Sequence, residues 1–488
     1  MNEITALYAR KPRPIRIMQY GEGNFLRAFV DYMIDIANEK GLFDGDVAIV
    51  KPIVYGSLET FARQDNLYTV CLRGKAGGQV IRENRVVACI GRTVDAQEDY
   101  HAYVALAREE SLEFIISNTT EAGIVFDPSD KFYACPPSTY PGKLTQFLFK
   151  RYEHFHGAKE KGLVILPVEL IENNGGKLKE CVQRLIETWN LPNTFKTWVE
   201  ESCVFCSTLV DRIVTGYPRD TVEDYWQELG YEDRLLAVCE PFALWVIESP
   251  RDISARLPLD KAGLPVVFTK DQRPFRERKV RLLNGAHTAS ILAAYLMGMD
   301  IVGECMADPD IRRFMEKAVY GEIAPTVPLP PDEVRAFAGS VFERFENPFV
   351  RHALLSIALN SVSKWKSRIL PSLLDSLEQT GGLPGCLTFS FAALLVFYTI
   401  KQQEDGSYVG NRPGGGTYPV QDDGAALEFF AAHSNKPLEE YVRHAASNAS
   451  FWGRDLALIP GFVKAVAGHL DNIRSIGARA AMNRLFKE

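Results

Sequence analysis

Short apolar runs alternate with amphipathic stretches through the first half of the chain. Four runs of four to six mostly apolar residues predict β-strands at residues 16–20, 47–50, 112–117 and 163–167. Helical spacing follows the first and the last of these runs, which predicts helices that end near Lys40 and Trp189. Strands without polar alternation are buried on both faces, so the pattern indicates a mostly parallel sheet covered by helices. Residues 80–92 resemble a hairpin inserted into this pattern.

After about Pro274 the β-like runs end and the pattern predicts one helix after another. The predicted helices span residues 278–297, 309–320, 331–345, 348–359, 370–379, 388–398, 424–433 and 437 to the end. Prolines lie at or near several of these starts, where a helix tolerates them. We therefore predict an α/β domain, residues 1–265, followed by an all-α domain, residues 266–488. Residues 406–421, which are rich in glycine, look most like a mobile loop.

Composition and charge exclude several classes of function. The 488 residues carry a net charge of −7, which argues against a nucleic-acid-binding protein because such a protein needs a basic face. No apolar run reaches the roughly 18–20 residues of a membrane helix, so we expect no membrane association. Nine cysteines, an odd number, fit reduced thiols in a cytoplasmic protein. No cluster of ligands in the sequence indicates a metal site.

A pair of glycines at the first predicted strand–helix junction indicates a phosphate-binding turn. Gly21 and Gly23 follow the strand at residues 16–20, where glycines let the backbone approach a pyrophosphate at a helix N-terminus. The fingerprint is incomplete because Leu26 stands where a third glycine is expected. The second strand leads into Lys51 rather than into the acid that binds the ribose of NAD, and a lysine at this position would favour a 2′-phosphate instead. The spacing alone therefore leaves both NAD and NADP open.

The stretch from Lys279 to His287 places a lysine, an asparagine and a histidine in an apolar, helix-forming segment. At about 100° per residue, Lys279 and His287 project roughly 80° apart, and Asn284 and His287 are i, i+3 neighbours. A lysine partly removed from water can exchange protons near neutral pH, and an amide can stabilise charge on a reacting oxygen. Alternatively, the lysine is solvated and the histidine belongs to the core. Periodicity alone does not decide between these interpretations.

Five blocks of the sequence together resemble the polyol-specific long-chain dehydrogenases, the family of mannitol 2-dehydrogenase. Lys279, Asn284 and His287 match the family's signature of a lysine, an asparagine five residues later and a histidine three residues after that. The blocks are residues 19–29, 117–123, 205–220, 276–288 and 418–423, so the resemblance covers nearly the whole chain. Within the family, the chain looks closer to the hexuronate branch than to the mannitol branch.

The resemblance implies a Rossmann-like domain, a helical domain, and a metal-free, NAD-dependent interconversion of D-altronate and D-tagaturonate in hexuronate catabolism. It implies that Lys279 is the acid/base, that Asn284 belongs to an oxyanion site, and that His287 positions the lysine or the substrate. It also implies a second amide at Asn174. Leu170, however, replaces an asparagine of the mannitol branch in the same segment, so which amide completes the oxyanion site stays open.

The resemblance further implies which residues bind ligands. For the cofactor these are Gly21, Gly23, Asn24, Phe25, Arg27, Asn118 and Thr119. Asp211 and Arg212 match an Asp-Arg pair that lies near the substrate in the family. A uronate also carries a carboxylate, which a guanidinium binds well, so Arg212, Lys364 and Arg368 are candidates for that contact.

Several alternatives stay open at this point. The substrate pair could be D-mannonate and D-fructuronate or a neutral polyol, or the chain could be a nicotinamide-dependent epimerase that returns its hydride. From another class, it could be a non-catalytic regulator that senses the nicotinamide cofactor. The sequence indicates a small-molecule substrate as the only partner and predicts no oligomeric state.

Overall fold

The computed structural model of this chain describes residues 2–119 and 122–486, and it divides into two compact units. Unit 1 comprises Met1–Gly74 and Gln79–Gln272, and unit 2 comprises Lys75–Gly78 and Arg273–Glu488. The boundary predicted from the sequence lies between residues 265 and 266. Thr120 and Glu121, which belong to one of the sequence blocks above, fall outside the described residues.

Unit 1 is built from short strands and helices that alternate along the chain. Its strands are β1 (Asn2–Glu3), β2 (Ile15–Tyr20), β3 (Asp46–Lys51), β4 (Tyr68–Ala76), β5 (Gln79–Val87), β6 (Ile90–Asp95), β7 (Phe114–Ser117), β8 (Val164–Pro167), β9 (Val204–Phe205), β10 (Ser207–Asp211), β11 (Val214–Gly216), β12 (Tyr231–Glu232), β13 (Ala237–Cys239), β14 (Leu244–Glu248) and β15 (Val266–Thr269). Its α-helices are α1 (Asn24–Leu26), α2 (Tyr32–Glu39), α3 (Glu59–Arg63), α4 (Tyr100–Ala105), α5 (Tyr140–His154), α6 (Asn174–Thr188), α7 (Asn193–Ser202) and α8 (Val222–Leu229). A π-helical segment, Arg27–Asp31, joins α1 to α2.

The main sheet of unit 1 has the strand order β6-β3-β2-β7-β8-β9. Every neighbouring pair in it is parallel. This order is that of a doubly wound dinucleotide-binding sheet, in which the chain fills one side from the centre and then the other. The prediction of a mostly parallel sheet is confirmed, and the four apolar runs form β2, β3, β7 and β8.

Apolar side chains on both faces of the main sheet explain why its strands lack polar alternation. Ile17, Ile49 and Ile116 belong to a cluster of buried residues on one face. Met18 and Ile115 belong to the cluster on the opposite face, together with residues of α5 to α7. Because successive side chains point to opposite faces, a strand covered on both sides must be apolar throughout.

The predicted hairpin at residues 80–92 is only partly present. β4 and β5 are neighbours in a second sheet of order β11-β13-β4-β5, so residues 80–87 belong to a hairpin arm. Residues 90–92 instead begin β6, which pairs with β3 in the main sheet. The sequence prediction fails there because a short buried strand and a hairpin arm carry the same β-branched residues.

Unit 2 is predominantly helical, as the sequence predicted. Its α-helices are α9 (Arg273–Arg278), α10 (Gly285–Leu296), α11 (Val302–Ala307), α12 (Pro309–Glu316), α13 (Pro331–Phe345), α14 (Leu354–Ala358), α15 (Ser361–Arg368), α16 (Leu370–Thr380), α17 (Gly385–Phe397), α18 (Gly424–His433), α19 (Leu438–Ser447), α20 (Ala449–Trp452), α21 (Phe462–Ile476) and α22 (Ala478–Arg484). Two π-helical segments, Lys279–Asn284 and Lys317–Ile323, continue α9 and α12. In the described residues, no helix combines the length and apolar character that a membrane crossing requires.

Part of the predicted mobile loop in unit 2 is a small antiparallel sheet. It consists of β16 (Ile400–Gln402), β17 (Tyr408–Asn411) and β18 (Thr417–Pro419). Gly406 and the turn at Gly414, Gly415 and Gly416 keep the loop-like, positive-φ backbone that the glycines suggested. Strands of three or four residues are too short for a periodic signal, so the sequence showed the turn and not its arms.

A buried carboxyl group lies at the end of the π-helical segment that joins α1 to α2. Asp31 is fully buried, and one of its oxygens accepts from Gln19 Nε2 and the Tyr68 hydroxyl, each at 3.3 Å. Burial raises the pKa of Asp31 to about 7, although the two hydrogen bonds and the nearby Arg27 act in the opposite direction. The protonated form is therefore favoured by folding.

We predict that Asp31 makes unit 1 less stable as pH rises. A pKa raised from 3.8 to about 7 contributes stability below pH 4 that is lost progressively up to about pH 7, on the order of 4 kcal/mol in total. Asp31→Asn should thus gain melting temperature relative to the wild type between pH 5 and pH 8. Asp44→Asn, which changes an exposed carboxylate, is the control and should follow the wild type. A constant offset of Asp31→Asn across this range would contradict the assignment.

Candidate active site

A cavity of about 390 Å³ opens at the carboxyl ends of three parallel strands in unit 1. Residues that follow β2, β3 and β7 line it together with the start of α5: Gly21, Glu22, Gly23, Pro52, Ile53, Asn118, Thr119, Ala122, Gly123, Val125, Ser138, Thr139, Tyr140 and Lys143. The chain leaves β2 and β7 towards opposite sides of the sheet, and open α/β sheets bind their ligands at this switch point.

The glycine turn gives this cavity a surface suited to a pyrophosphate. Gly21 has a φ of 115°, and its N–H donates to the Val50 carbonyl at 2.9 Å. A Cβ atom at Gly23 would meet no heavy atom within 4 Å, so a ligand can approach the backbone there. The helical run begins at Asn24, and its first N–H groups have no partner within the helix. Of the predicted cofactor residues, Gly21, Gly23, Asn118 and Thr119 come together at this cavity.

The other three predicted cofactor residues do not line the cavity. The Arg27 guanidinium is buried and donates to the Glu22 carbonyl at 3.1 Å, to Asn24 Oδ1 at 2.6 Å and to the Leu235 carbonyl. The Phe25 ring stacks on Phe29 with centroids 5.1 Å apart. These contacts give Asn24, Phe25 and Arg27 a role in holding the glycine turn rather than a direct contact with the cavity.

Lys51, which the sequence offered as a partner for a 2′-phosphate, is occupied within unit 1. Its ammonium lies 2.6 Å from Asp95 and donates to the carbonyls of Ile53 and Val54 at 2.7 and 3.3 Å. The side chain is only 2% exposed. Partial burial raises the pKa of Asp95, but the ion pair with Lys51 and backbone N–H donors lower it overall. Lys51 therefore secures the loop after β3 and has its charge balanced.

Lys143 lines the same cavity and was missed by the sequence analysis. It lies in the first turn of α5, and its ammonium donates to the Ser138 carbonyl at 2.8 Å. Burial lowers the pKa of Lys143 to about 8, although Asp130 acts in the opposite direction. Thr139 caps this helix by accepting from the Gly142 N–H at 3.0 Å. The cap followed by a proline was the available signal for the helix start.

Asn174, predicted as a second oxyanion amide, is committed to the fold of unit 1. Its Nδ2 donates to the carbonyls of Pro167, Glu169 and Thr208 at 3.0, 3.0 and 3.1 Å. Its Oδ1 accepts from the N–H groups of Gly175 and Thr208, both at 2.9 Å. Both amide hydrogens are thus engaged in tying the end of β8 to β10. A substrate oxygen would have to displace one of these bonds.

Asp211 and Arg212, predicted near the substrate, are buried at the end of β10 in unit 1. The Arg212 guanidinium donates to the Glu240 carbonyl at 2.9 Å and to the Ala28 carbonyl at 2.7 Å, and it lies 4.9 Å from the centroid of the Tyr32 ring. These contacts tie β10 to the helix that follows the glycine turn. They occupy some of the guanidinium N–H groups that a bound carboxylate would need.

In unit 2 the lysine stretch forms a wide helical turn. The π-helical segment Lys279–Asn284 separates α9 from α10, and His287 lies in the first turn of α10. The sequence prediction of a regular α-helix is wrong here, since it assumed about 100° per residue. In the i→i+5 bonding of a π-helix, five residues span roughly one turn, so Lys279 and Asn284 come closer to one face. Such π-segments are frequent at functional sites.

His287 is buried among aromatic and basic side chains. Its ring stacks on Phe345 with centroids 4.1 Å apart and meets the edge of the His352 ring at 5.5 Å. Burial lowers the pKa of His287 well below its usual range, and the charges of four basic side chains lower it further. They are His352, Arg368, Arg344 and Lys364. The imidazole is therefore neutral at pH 7.

Lys364 and Arg368, predicted to bind a substrate carboxylate, lie one turn apart on α15 and near His287. Arg368 donates to the Thr288 hydroxyl at 3.4 Å, and Lys364 donates to the Ile357 carbonyl at 2.9 Å. Burial lowers the pKa of both side chains, and the charge of Arg368 further lowers that of Lys364. The structure thus brings two predicted substrate residues together with a predicted catalytic residue in unit 2.

Arg344 and His352 are functional candidates that the sequence analysis missed. Arg344 is buried near the end of α13, and His352 is half-buried just before α14. The His352 carbonyl accepts from the Val302 N–H at 3.0 Å, which fixes the backbone beneath the ring. Basic residues in the stretch 344–352 were the available signal, but spacing does not show that they converge on His287.

The position of α15 depends on the segment after β18. Asp422 accepts from the Val362 N–H at 3.0 Å and from the Tyr398 hydroxyl. The Asn360 N–H donates to the Gln421 carbonyl at 3.0 Å. The first turn of α15 is thereby capped by residues distant in sequence, and the capping fixes the helix that carries Lys364 and Arg368.

Metal ligands do not cluster in the described residues. Within residues 2–119 and 122–486, no group of three or more His, Cys, Asp or Glu side chains has an arrangement that could hold a metal ion. Cys203 and Cys206, the single CxxC pair of the sequence, are both buried. Burial raises the pKa of Cys203 and Cys206 to about 12 and about 11, which keeps both thiols protonated.

Comparisons with known proteins give the same division of the chain into two parts. The model of the mannitol dehydrogenase Rossmann domain matches residues 15–261, and that of the mannitol dehydrogenase C-terminal domain matches residues 271–474. Relatives described as altronate oxidoreductase, from Yersinia pestis and from Escherichia coli strain K12, are each 44% identical over 479 residues. In both cases the match covers 97% of this chain and 97% of the relative.

Two solved structures share the fold across the whole chain. D-sorbitol dehydrogenase in its substrate-free form has a TM-score of 0.80, with 99% of this chain and 96% of that chain covered. Mannitol 2-dehydrogenase from Pseudomonas fluorescens, in a ternary complex with NAD and D-mannitol, has a TM-score of 0.68 with the same coverage. Both are 21% identical to this chain, so they establish the fold alone.

The switch-point cavity, the helical second unit and the relatives together define an oxidoreductase, a dehydrogenase that acts on CH–OH groups. The chain belongs to the mannitol dehydrogenase family, since the two family models together cover most of its length. The family inferred from the five sequence blocks is thereby confirmed.

We predict that Asp422→Ala loosens α15 without unfolding unit 2. Loss of the acceptor for the Val362 N–H should lower the free energy of opening the first turn of α15 by about 1 kcal/mol. Hydrogen–deuterium exchange in that turn should therefore be roughly fivefold faster. Asp423→Ala is the matched control, because Asp423 caps the neighbouring helix α18 through the Ala425 N–H. It should speed exchange in α18 and leave α15 unchanged. Equal exchange of α15 in both variants would disprove the capping role.

Proposed function

We propose that this chain interconverts D-altronate and D-tagaturonate with NAD as hydride carrier, as a step of hexuronate catabolism. The relatives named altronate oxidoreductase, 44% identical over 97% of the chain, support the substrate pair. The observation that carries the reaction chemistry is the wide turn Lys279–Asn284, followed by the buried, neutral His287 and flanked by basic side chains. A carbonyl reduction needs a proton donor and an amide, and a sugar acid needs positive charge nearby.

Lys279 is proposed as the acid/base. Bound NADH supplies the hydride for reduction of the keto carbon, and NAD⁺ accepts it in the reverse direction. During reduction the Lys279 ammonium gives a proton to the oxygen of the breaking carbonyl double bond. During oxidation its neutral amine takes the hydroxyl proton back, so atoms and charges balance in both directions. Lys279 is half-buried, which keeps it within reach of a substrate.

Asn284 is proposed as the amide that holds the developing oxyanion. It is half-buried on the wide turn, five residues after Lys279. Asn174 is the weaker candidate because its amide hydrogens already bond three carbonyl groups. His287 would act beside Asn284 as a neutral hydrogen-bonding group, because its lowered pKa keeps the imidazole uncharged at pH 7.

NAD is proposed rather than NADP because Lys51 is already paired. A 2′-phosphate at the end of the second strand needs a cation to bind it. The Lys51 ammonium is 2.6 Å from Asp95 and also donates to two backbone carbonyls, so its charge and its hydrogens are used. Gly21, Gly23, Asn118 and Thr119 would hold the dinucleotide without contributing charge.

The first test replaces the proposed acid/base. Lys279→Ala should lower kcat for tagaturonate reduction by about 10²–10⁴-fold, the usual contribution of general acid–base catalysis, with NADH affinity nearly unchanged. Lys401→Ala, which changes an exposed lysine on β16, is the control and should keep wild-type kinetics. Near-normal turnover in Lys279→Ala would reject the assignment.

The second test concerns cofactor choice. Asp95→Asn removes the charge that pairs with Lys51 and should raise the ratio of kcat/KM for NADPH to that for NADH by about tenfold, equivalent to about 1.4 kcal/mol. Glu98→Gln removes an exposed carboxylate from the same segment and should leave this ratio unchanged. If Asp95→Asn also leaves the ratio unchanged, Lys51 does not set the preference.

A further inference from the structure

The basic side chains around His287 form a concentration of positive charge in a chain that is acidic as a whole. The four strongest electrostatic influences on His287 come from His352, Arg368, Arg344 and Lys364, and each of them disfavours its protonation. These residues come from α13, the segment before α14, and α15. Basic residues of separate elements thus lie close enough to His287 to affect its protonation, although the net charge of the chain is −7.

Two of these charges have no acidic partner within ion-pair distance in the described part of the chain. Among the described residues, Lys364 and Arg368 form no salt bridge, and their hydrogen bonds go to the Ile357 carbonyl and the Thr288 hydroxyl. Asp422 acts on Lys364 only as a more distant charge. Elsewhere in unit 2, Arg281 pairs directly with Asp375, and Arg412 pairs with Asp300. A partly buried cation without a counter-ion is costly, and a bound anion would remove that cost.

A buried hydrogen-bonding group lies within the same cluster. His287 is 9% exposed, and its Nε2 has no hydrogen-bond partner among the described residues. Its ring is held by Phe345 on one face and by the edge of His352. Buried polar atoms are nearly always satisfied, so an unsatisfied one in a cluster of basic side chains fits a ligand with oxygen atoms.

The cluster lies at a suitable distance from the proposed reaction centre. Thr288, which contacts Arg368, is four residues beyond Asn284, about 6 Å along a helix at 1.5 Å per residue. Tagaturonate is a 2-ketohexose oxidised at C6, so four carbon–carbon bonds of about 1.5 Å separate its keto carbon from its carboxylate, a span of roughly 5 Å. When the keto group of the substrate is bound at Asn284, the carboxylate of the same substrate molecule therefore lies near Arg368.

We propose that Arg344, His352, Lys364 and Arg368 form a carboxylate-binding site in which Arg368 and His352 select a sugar acid over a neutral sugar alcohol. The inference rests on the proposed function and adds to it the residues that determine substrate class. Arg368 supplies a guanidinium that binds the carboxylate oxygens, and His352 donates a neutral N–H to them. His287 Nε2 bonds a neighbouring hydroxyl or carboxylate oxygen.

The first measurement uses the wild-type protein alone. Its kcat/KM for oxidation of D-altronate should exceed that for altritol, the alditol with the same hydroxyl configuration, by at least about 100-fold. One or two hydrogen bonds between charged groups account for a factor of this size. Equal kcat/KM for the acid and the alditol would overturn the proposal without any variant.

The second measurement compares variants at matched positions. Arg368→Met should raise KM for D-altronate by about 10–100-fold, with little change in activity on altritol or in KM for NAD. His352→Gln keeps a donor of similar length and should raise KM less than His352→Phe does. Lys366→Met removes an exposed lysine from the same helix and should leave every constant unchanged. Arg368→Lys, which keeps the charge, should recover part of the affinity.

Direct binding separates failure of this inference from failure of the proposed function. Calorimetric titration with D-altronate and D-mannonate should give weaker binding to Arg368→Met than to the wild type, whether or not either acid is turned over. If the wild type oxidises neither acid but still binds them through Arg368, the proposed reaction is wrong and the carboxylate site stands. If the wild type oxidises altronate while Arg368→Met and His352→Phe keep its KM, the carboxylate site is wrong. Circular dichroism and NADH binding verify that each variant is folded.

Discussion

The reversal of chain direction at the centre of the parallel sheet is the constraint on which unit 1 depends. β2 has parallel neighbours on both sides, and the chain first builds outwards through β3 and β6 before it returns to add β7 on the other side. The connection after β2 therefore runs over one face of the sheet and the connection after β7 over the other. A gap remains between the carboxyl ends of these two strands. Gly21 and Asn118 are the first residues beyond those two strands, so topology brings them to the cavity.

Around this gap, several polar residues of the sequence motifs support the backbone rather than face a ligand. Arg27 bonds two carbonyls and Asn24, Asn174 bonds three carbonyls, and Arg212 bonds two more. Irregular backbone at the ends of buried strands has N–H and C=O groups without ladder partners, and burying them unsatisfied would be costly. Long polar side chains meet that need, which explains why a glycine turn is accompanied by a buried arginine.

The sequence predicted the parts of the fold that periodicity and burial determine. The buried strands β2, β3, β7 and β8 and the helices α13 and α18 follow directly from apolar runs and from start signals. Three features could not be predicted. The π-turn at Lys279 breaks the assumption of 100° per residue, and the strands of 400–419 are too short for a period. Arg344 and His352 meet His287 only through tertiary packing, which no local spacing encodes.

Lys51 of unit 1 and the basic residues near His287 differ in how their positive charge is balanced, and the difference bears on function. In unit 1 the Lys51 ammonium is matched by Asp95 at 2.6 Å, so its charge is compensated within the fold. Near His287, Arg368 and Lys364 bond only neutral oxygens among the described residues, so a bound anion would balance their charge. A protonated His287 would add a further positive charge at that point, and burial together with its basic neighbours prevents this. The neutral ring keeps one N–H, which can donate to an oxygen of an anionic substrate.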